Sequence, residues 1–291
     1  MSALRKLFWP SLLWLLQLPV LAAADGETES GFDDYVRGSL SVSYETKALT
    51  YGFVDADDPI LAPAGSLTFF GTFTAGFVFY FDTTDFGDKN GRGDHAWDFW
   101  EIDVPAELRH AFTPQEVTWL PTSVELGAGY RYEYHPPRSN CPDTEFWIAD
   151  ASLPDLWLVP RFLYERDVLR DHGTYLNLSV SHEFEIVDGV ALKPSLGQGW
   201  GDNKRVRGYV PTPDLRHRLN RAGMLDTQLR LTLSWRVCDH VKLAVFVAYS
   251  DFLFDRHIRD ASRRYIRSAS GECYRHSSWN FPCGVSLACD F

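Results

Sequence analysis

The chain has 291 residues, of which 15% are aromatic and 23% charged, and its mean hydropathy is −0.21. This is too polar for a bundle of membrane helices, each of which needs about 20 consecutive apolar residues. The 39 acidic residues outnumber the 28 basic ones, which argues against nucleic acid as a partner.

The first 24 residues have the order of a secretory signal peptide. Arg5 and Lys6 precede an apolar stretch at 7–21, and three alanines at 22–24 come before Asp25. A basic, an apolar and a small-residue zone in this order are typical of a cleaved export signal, and an uncleaved membrane anchor is the alternative. Cleavage would leave 26 basic residues of the 28, and a net charge of −13.

Apolar and polar residues alternate along most of the chain that follows. Between 225 and 237, for example, Leu229, Leu231 and Leu233 alternate with Arg230 and Thr232. This period of two predicts β-strands, because a helix would place apolar residues three and four apart. The alternating runs predict twelve strands, at about 36–52, 59–70, 73–82, 97–110, 117–135, 144–151, 156–168, 173–187, 190–201, 223–237, 241–254 and 279–291.

The connections between the predicted strands fall into two classes that alternate along the chain. Short connections lie at Gly71-Thr72, 112–115, 152–155, Asp188-Gly189 and 238–240, and long polar ones at 82–96, 199–223 and 255–278. Outer-membrane barrels have short periplasmic turns and longer outer loops. We therefore expect an all-β chain: a transmembrane antiparallel up-and-down β-barrel of about 12 strands in the bacterial outer membrane. The expected domains are a signal peptide at 1–24, a short periplasmic segment at 25–34 and the barrel at 35–291.

Aromatic residues support the same fold. The last residue, Phe291, shares a face with Val285 and Leu287, and resembles the terminal aromatic by which the barrel assembly machinery recognises its substrates. We expect that machinery as a partner. Aromatics near strand ends are expected in the lipid-facing girdles of a barrel: Trp100, Tyr130, Tyr132, Tyr134 and Trp235.

The polar faces of the predicted strands would line the barrel interior with ten acidic and eight basic residues. These lumen-lining residues are Arg37, Glu45, Glu101, Asp103, Glu107, Arg109, Glu125, Arg131, Glu133, Arg161, Glu165, Glu183, Glu185, Lys193, Asp226, Arg230, Arg236 and Lys242. Opposed charges either line an aqueous pore and set its selectivity, or form an ion-pair network that fills a small barrel. The sequence leaves both interpretations open.

Two predicted outer loops are basic, through Lys204, Arg205, Arg207, Arg216, Arg218 and Arg221 in the first and Arg256, Arg259, Arg263, Arg264, Arg267 and Arg275 in the second. Clustered arginine suits phosphate or carboxylate groups. Lipopolysaccharide and other outer-membrane lipid, or an anionic solute, are the expected partners, and an ordinary solvated loop is the alternative. The loop at 82–96 is rich in acidic oxygens but lacks the spacing of an EF-hand.

The five cysteines are divided between the two ends of the predicted barrel, with Cys141, Cys273 and Cys283 at the outer end and Cys238 and Cys289 at the periplasmic end. A disulfide between the ends would have to span an apolar band of about 25 Å, against a limit of about 7 Å between Cα atoms. The candidate disulfides are therefore Cys273–Cys283 and Cys238–Cys289.

Motifs for catalysis or cofactor binding are absent from the sequence. It contains no HExxH, GxSxG, P-loop or dinucleotide fingerprint. We predict no catalytic residue, no cofactor and no metal site, and an outer-membrane lipid-modifying enzyme is the least favoured hypothesis.

One passage resembles a known family. GTYLNLSVSHEFEI at 173–186, preceded by LWLVPRFLYERDV at 156–168, is similar to a paired-strand passage in uncharacterised bacterial outer-membrane β-barrels described as porins of the TorF type. The resemblance is clearest over 116–201 and implies a fold and a location more than an activity. The leading hypothesis is a porin or channel for small polar or charged solutes, and the alternative is a plugged structural barrel or one that binds a ligand or lipopolysaccharide.

Overall fold

The computed structural model describes residues 35–51, 53–56, 59–83, 99–136, 142–209, 220–262, 265–267, 273–275 and 279–291. The predicted signal peptide and the segment at 25–34 lie outside these ranges. The strands are β1 (Val36–Glu45), β2 (Ala48–Thr50), β3 (Phe53–Ala56), β4 (Ile60–Phe69), β5 (Phe73–Asp82), β6 (Phe99–Phe112), β7 (Val124–Tyr134), β8 (Thr144–Ser152), β9 (Val159–Asp167), β10 (Thr174–Ser181), β11 (Phe184–Val187), β12 (Val190–Gly201), β13 (Gly223–Cys238), β14 (Val241–Asp251), β15 (Tyr265–Arg267), β16 (Cys273–Arg275), β17 (Trp279–Asn280) and β18 (Cys283–Asp290). The helices are α1 (Asn203–Tyr209) and α2 (Arg256–Ser262).

The strands close into one antiparallel barrel. Its order is β1, β4 to β10, β12, β13, β14 and β18, and β18 pairs with β1 to complete the circle. β10 and β11 are two parts of one wall strand, since both pair with β12. The predicted up-and-down barrel of twelve strands is confirmed.

The outer surface of the barrel is apolar. On β13, Leu229, Leu231 and Leu233 are 54%, 42% and 41% exposed, whereas Ser234 on the opposite face is buried. A water-soluble protein buries such leucines, so this surface suits hydrocarbon. Closure pairs each described wall strand on both sides, apart from the short β11, which pairs with β12 alone. A bilayer requires such pairing because lipid cannot satisfy backbone hydrogen bonds. The chain is an outer-membrane β-barrel. No helix among the described residues is long and apolar enough to cross a membrane.

Short turns gather at one end, which we call the periplasmic end: Phe70–Thr72, 113–123, 153–158, Asp188-Gly189 and 239–240. Gly189 has a φ of +74°, a conformation that favours glycine. The connection at 113–123 is longer than predicted, and β7 begins at Val124 instead of 117. The Thr113 backbone N–H donates to the Glu116 carboxylate at 2.9 Å, and Val117 N–H donates to Thr113 O, so this segment coils into a turn.

Loop segments fold over the opposite end, the outer end. β1 ends at Glu45, seven residues before the predicted end of the first strand, and the chain then forms the β2–β3 hairpin. α1 and α2 lie in the two long loops and are capped by Asp202 and Asp255, whose carboxylates accept N–H groups of the first turn. Neither helix is predicted by the alternation, because each is only seven residues long.

Candidate functional site

The barrel interior contains two adjoining cavities, of about 390 Å³ towards the outer end and about 190 Å³ below it. Ser41, Ala64 and Val78 line both cavities, so the two lie end to end. On this side of the barrel, the residues of β1, β4 and β5 that line the cavities are mostly serine, alanine, glycine and threonine. The small side chains leave the space that the cavities occupy.

The opposite wall of the larger cavity is acidic. It carries Glu101, Asp103, Glu133 and Glu165, with Arg131 among them. Arg131 Nε lies 3.0 Å from Glu133 and its Nη1 lies 3.4 Å from Glu165, while its guanidinium carbon lies 4.7 Å from the centre of the Phe146 ring. One guanidinium therefore faces four carboxyl groups.

His135, just beyond β7, joins this acidic wall. Its Nε2 lies 3.1 Å from Glu101 Oε2, and the ring is buried. Ligand atoms of Glu101, Glu133 and His135 all lie within 4.8 Å of one another, a grouping that can hold a metal ion. His135 is the last residue of the predicted strand at 117–135 and shares a face with Arg131 and Glu133, but sequence analysis missed it because only Asp, Glu, Lys and Arg were considered as lumen residues.

The periplasmic half of the interior is built around Arg109. Its guanidinium contacts Glu107 and Glu125 at 2.5 Å each and Asp150 at 2.9 Å. Arg161 also binds Asp150, at 2.5 Å, so one buried carboxylate joins two arginines. Sequence analysis missed Asp150, although it shares the inward face of β8 with Phe146.

The other predicted lumen residues occupy three places. Arg37, Lys193, Arg236 and Lys242 are solvent-exposed towards the periplasmic end, as are Glu183 and Glu185 beside the turn at Asp188-Gly189. Arg230 lies 3.7 Å from the centre of the Phe246 ring, and Glu45 lines the larger cavity. Asp226 is buried and accepts a hydrogen bond from the Tyr175 hydroxyl at 3.0 Å.

The outer mouth is narrowed by a buried cluster that we call the mouth cluster: Tyr51, Tyr175, Val206, Leu225, Phe252 and Ile258. Tyr51 comes from the β2–β3 hairpin, and Val206 and Ile258 come from α1 and α2. The Tyr51 and Tyr175 ring centres are 4.3 Å apart. The cluster ties three loops to the barrel wall, and its members Val206 and Ile258 lie outside the predicted strands.

Arg205 lies fully buried beside the mouth cluster. The prediction that it belongs to a basic outer loop available to lipid is therefore wrong. Its guanidinium carbon lies 4.8 Å from the Tyr51 ring centre, and it donates to Gly173 O at 3.2 Å and approaches Asp171 at 3.5 Å. A Cβ on Gly173 would lie 2.5 Å from the backbone N of Arg205, so only glycine permits this approach. Burial raises the pKa of Asp171, and Arg205 opposes that shift.

Other basic loop residues are divided between paired and exposed positions. Arg221 binds Asp255 at 3.1 Å and Arg259 binds the buried Asp251 at 2.9 Å. Lys204, Arg207 and Arg256 are exposed. Arg216, Arg218, Arg263 and Arg264 lie outside the described residues, as do the side chains of Arg267 and Arg275.

The prediction that Trp100 belongs to the lipid-facing aromatic girdle is wrong. Trp100 lines the larger cavity, with its ring centre 5.5 Å from that of Tyr80. A shift in the pairing of β5 with β6, between Tyr80 and Phe81, turns it inward. Tyr130, Tyr134 and Trp235 remain on the exposed apolar surface.

The predicted disulfide between Cys238 and Cys289 is not formed, and both are free thiols, as is Cys283. Cys238 and Cys289 each pair with Val241, from opposite sides of β14. Two strand spacings of about 4.8 Å separate them, which exceeds the reach of a disulfide. The side chain of Cys273 and all of Cys141 lie outside the described residues.

Comparisons with known proteins give distant likenesses. No protein-family model and no curated protein matches the chain. Among solved structures, an outer-membrane channel from Pseudomonas putida F1 is 12% identical with a TM-score of 0.46, over 91% of this chain and 100% of that one. The KdgM porin is 9% identical with a TM-score of 0.48, over 87% and 99%, and the NanC porin is 9% identical with a TM-score of 0.49, over 86% and 98%.

Proposed function

We propose that the chain is a narrow outer-membrane channel for small polar or charged solutes. The observation that carries the proposal is the pair of cavities lying end to end along the small-residue wall, with Ser41, Ala64 and Val78 shared between them. Hydroxyl and carboxyl groups line this path, and such groups can replace the water around a passing polar solute. The proposal includes membership of the TorF-type porins and assigns no catalytic activity.

The charges along the path support a preference for cations. Glu45, Glu101, Asp103, Glu133 and Glu165 line the outer cavity, where Arg131 is the basic residue of the lining. Rings of acidic side chains favour cations in channels, and low-dielectric walls strengthen the effect.

A plugged barrel is the second candidate, favoured by the mouth cluster and the buried Arg205 at the outer end. In that case the barrel would act through its outer loops. Exposed Lys204, Arg207 and Arg256 offer charges to lipopolysaccharide phosphates under either function, and Phe291 is proposed as the contact for the barrel assembly machinery.

Single-channel recording in planar bilayers tests the channel. Ser41→Trp places a large side chain where the two cavities meet, and we expect its conductance to fall several-fold. Val42→Trp is the matched control, because Val42 is the next residue of β1 and faces outward, and its conductance should equal that of the wild type. Absence of discrete steps from folded wild-type protein would contradict the channel and favour the plugged barrel.

A further inference from the structure

We propose that the outer cavity holds a divalent-cation site formed by Glu101, Glu133 and His135. Glu101 lies on β6, Glu133 ends the inward face of β7, and His135 follows β7, so neighbouring strands bring the three together. Their ligand atoms lie within 4.8 Å of one another. Atoms bound to one Zn²⁺ lie at most about 4.2 Å apart, twice the metal–ligand distance, so a small side-chain movement completes the site.

A buried carboxylate oxygen supports the site independently. Asp103 is 7% exposed, and its Oδ1 has no hydrogen-bond partner among the residues that the structure describes. The other oxygen, Oδ2, is 3.5 Å from the Tyr80 hydroxyl. Asp103 lies two residues from Glu101 on the same face of β6, so a cation bound at the proposed site would bring positive charge near this unpaired oxygen.

The local charge also calls for a cation. Glu101, Asp103, Glu133 and Glu165 share the wall with Arg131, whose Nε lies 3.0 Å from Oε1 of Glu133. Buried charges are normally paired or bound to metal. The larger cavity reaches these side chains, so an ion has room to enter.

The types of ligand atom at the proposed site indicate which metal ions it would prefer. Two carboxylates with one imidazole form a mixed oxygen and nitrogen set, which suits Zn²⁺ or Mn²⁺, whereas Mg²⁺ and Ca²⁺ prefer oxygen alone. The order of affinity should therefore be Zn²⁺ above Mn²⁺, with Mg²⁺ and Ca²⁺ well below both.

Isothermal titration of the detergent-solubilised, EDTA-stripped barrel with ZnCl₂ tests the site. We expect one saturable site in the wild type. His135→Ala and Glu133→Gln should each weaken binding at least by the roughly 10- to 100-fold that loss of a supporting group costs. Glu45→Gln is the control, because it removes a carboxylate from the same cavity without touching the proposed ligands.

Heat-modifiable migration in SDS gels verifies that each variant is folded before titration. Two results would overturn the site: no saturable Zn²⁺ binding by the folded wild type, or equal loss of binding in Glu45→Gln and His135→Ala. Neither result depends on conductance, so failure of the metal site is distinct from failure of the channel.

Discussion

The two halves of the barrel interior use charge in different ways. In the outer half, Glu101, Asp103, Glu133 and Glu165 surround the single guanidinium of Arg131 and border a cavity of about 390 Å³. In the periplasmic half, acidic and basic groups are joined in one network through Arg109, Arg161 and Asp150.

In the proposed channel, this difference lets both interpretations of the interior charges apply to one barrel. The paired network braces the strands near the periplasmic end, as a filled small barrel requires. The acid surplus near the outer end remains available to act on ions. Sequence counts give ten acids and eight bases without showing that they are segregated along the axis.

The largest expected effect is the loss of local stability when Arg205, which is buried beside the mouth cluster, is replaced by alanine. Arg205→Ala leaves Asp171 without its buried partner, and breaking a buried pair in this way costs about 3 to 5 kcal/mol. Backbone amides of α1 should then exchange with deuterium more than about 100-fold faster. Arg207→Ala, on the exposed side of the same helix, should leave exchange within a few-fold of the wild type. Equal exchange in the two variants would mean that Arg205 does not anchor α1 to the barrel.

A smaller effect is expected from Arg109→Ala in the periplasmic half. Asp150 is 2% exposed at its side chain, but Arg109 is 34% exposed, so solvent screening reduces the loss to about 1 to 3 kcal/mol. Urea unfolding in detergent micelles measures the change. Arg161→Ala serves as the comparison, because Arg161 is 50% exposed and its ion pair among the described residues is with Asp150, and it should cost under about 1 kcal/mol. The reverse order would contradict a network centred on Arg109.

The barrel wall could be predicted from sequence because a strand with lipid on one side and water on the other must alternate at every residue. The loops carry no such constraint. Val206 and Ile258 are single apolar residues in polar segments, whereas Tyr51 lies within the predicted strand at 36–52 and does not reveal that the chain forms a loop there. Charge alone does not reveal that Arg205 turns inward. The capping residues Asp202 and Asp255 were a usable signal for the two helices.

Two errors have different causes. Trp100 turns inward at a register shift between Tyr80 and Phe81, which the alternating pattern of β6 does not reveal. The Cys238–Cys289 pairing, in contrast, conflicts with the predicted strand order itself, since the eleventh strand of an up-and-down barrel separates the tenth from the twelfth. The predicted strand order was therefore enough to reject this disulfide.

The reversal potential of single channels in a KCl gradient, with EDTA present, tests most directly whether the acidic outer half governs passage. The wild type should prefer K⁺ over Cl⁻. One charge at about 4 Å in water contributes about 1 kcal/mol, so Glu45→Gln should lower that preference by about fivefold. Glu183→Gln, exposed beside the periplasmic turn, should change it far less. A preference for Cl⁻ in the wild type, or equal shifts in the two variants, would contradict the account.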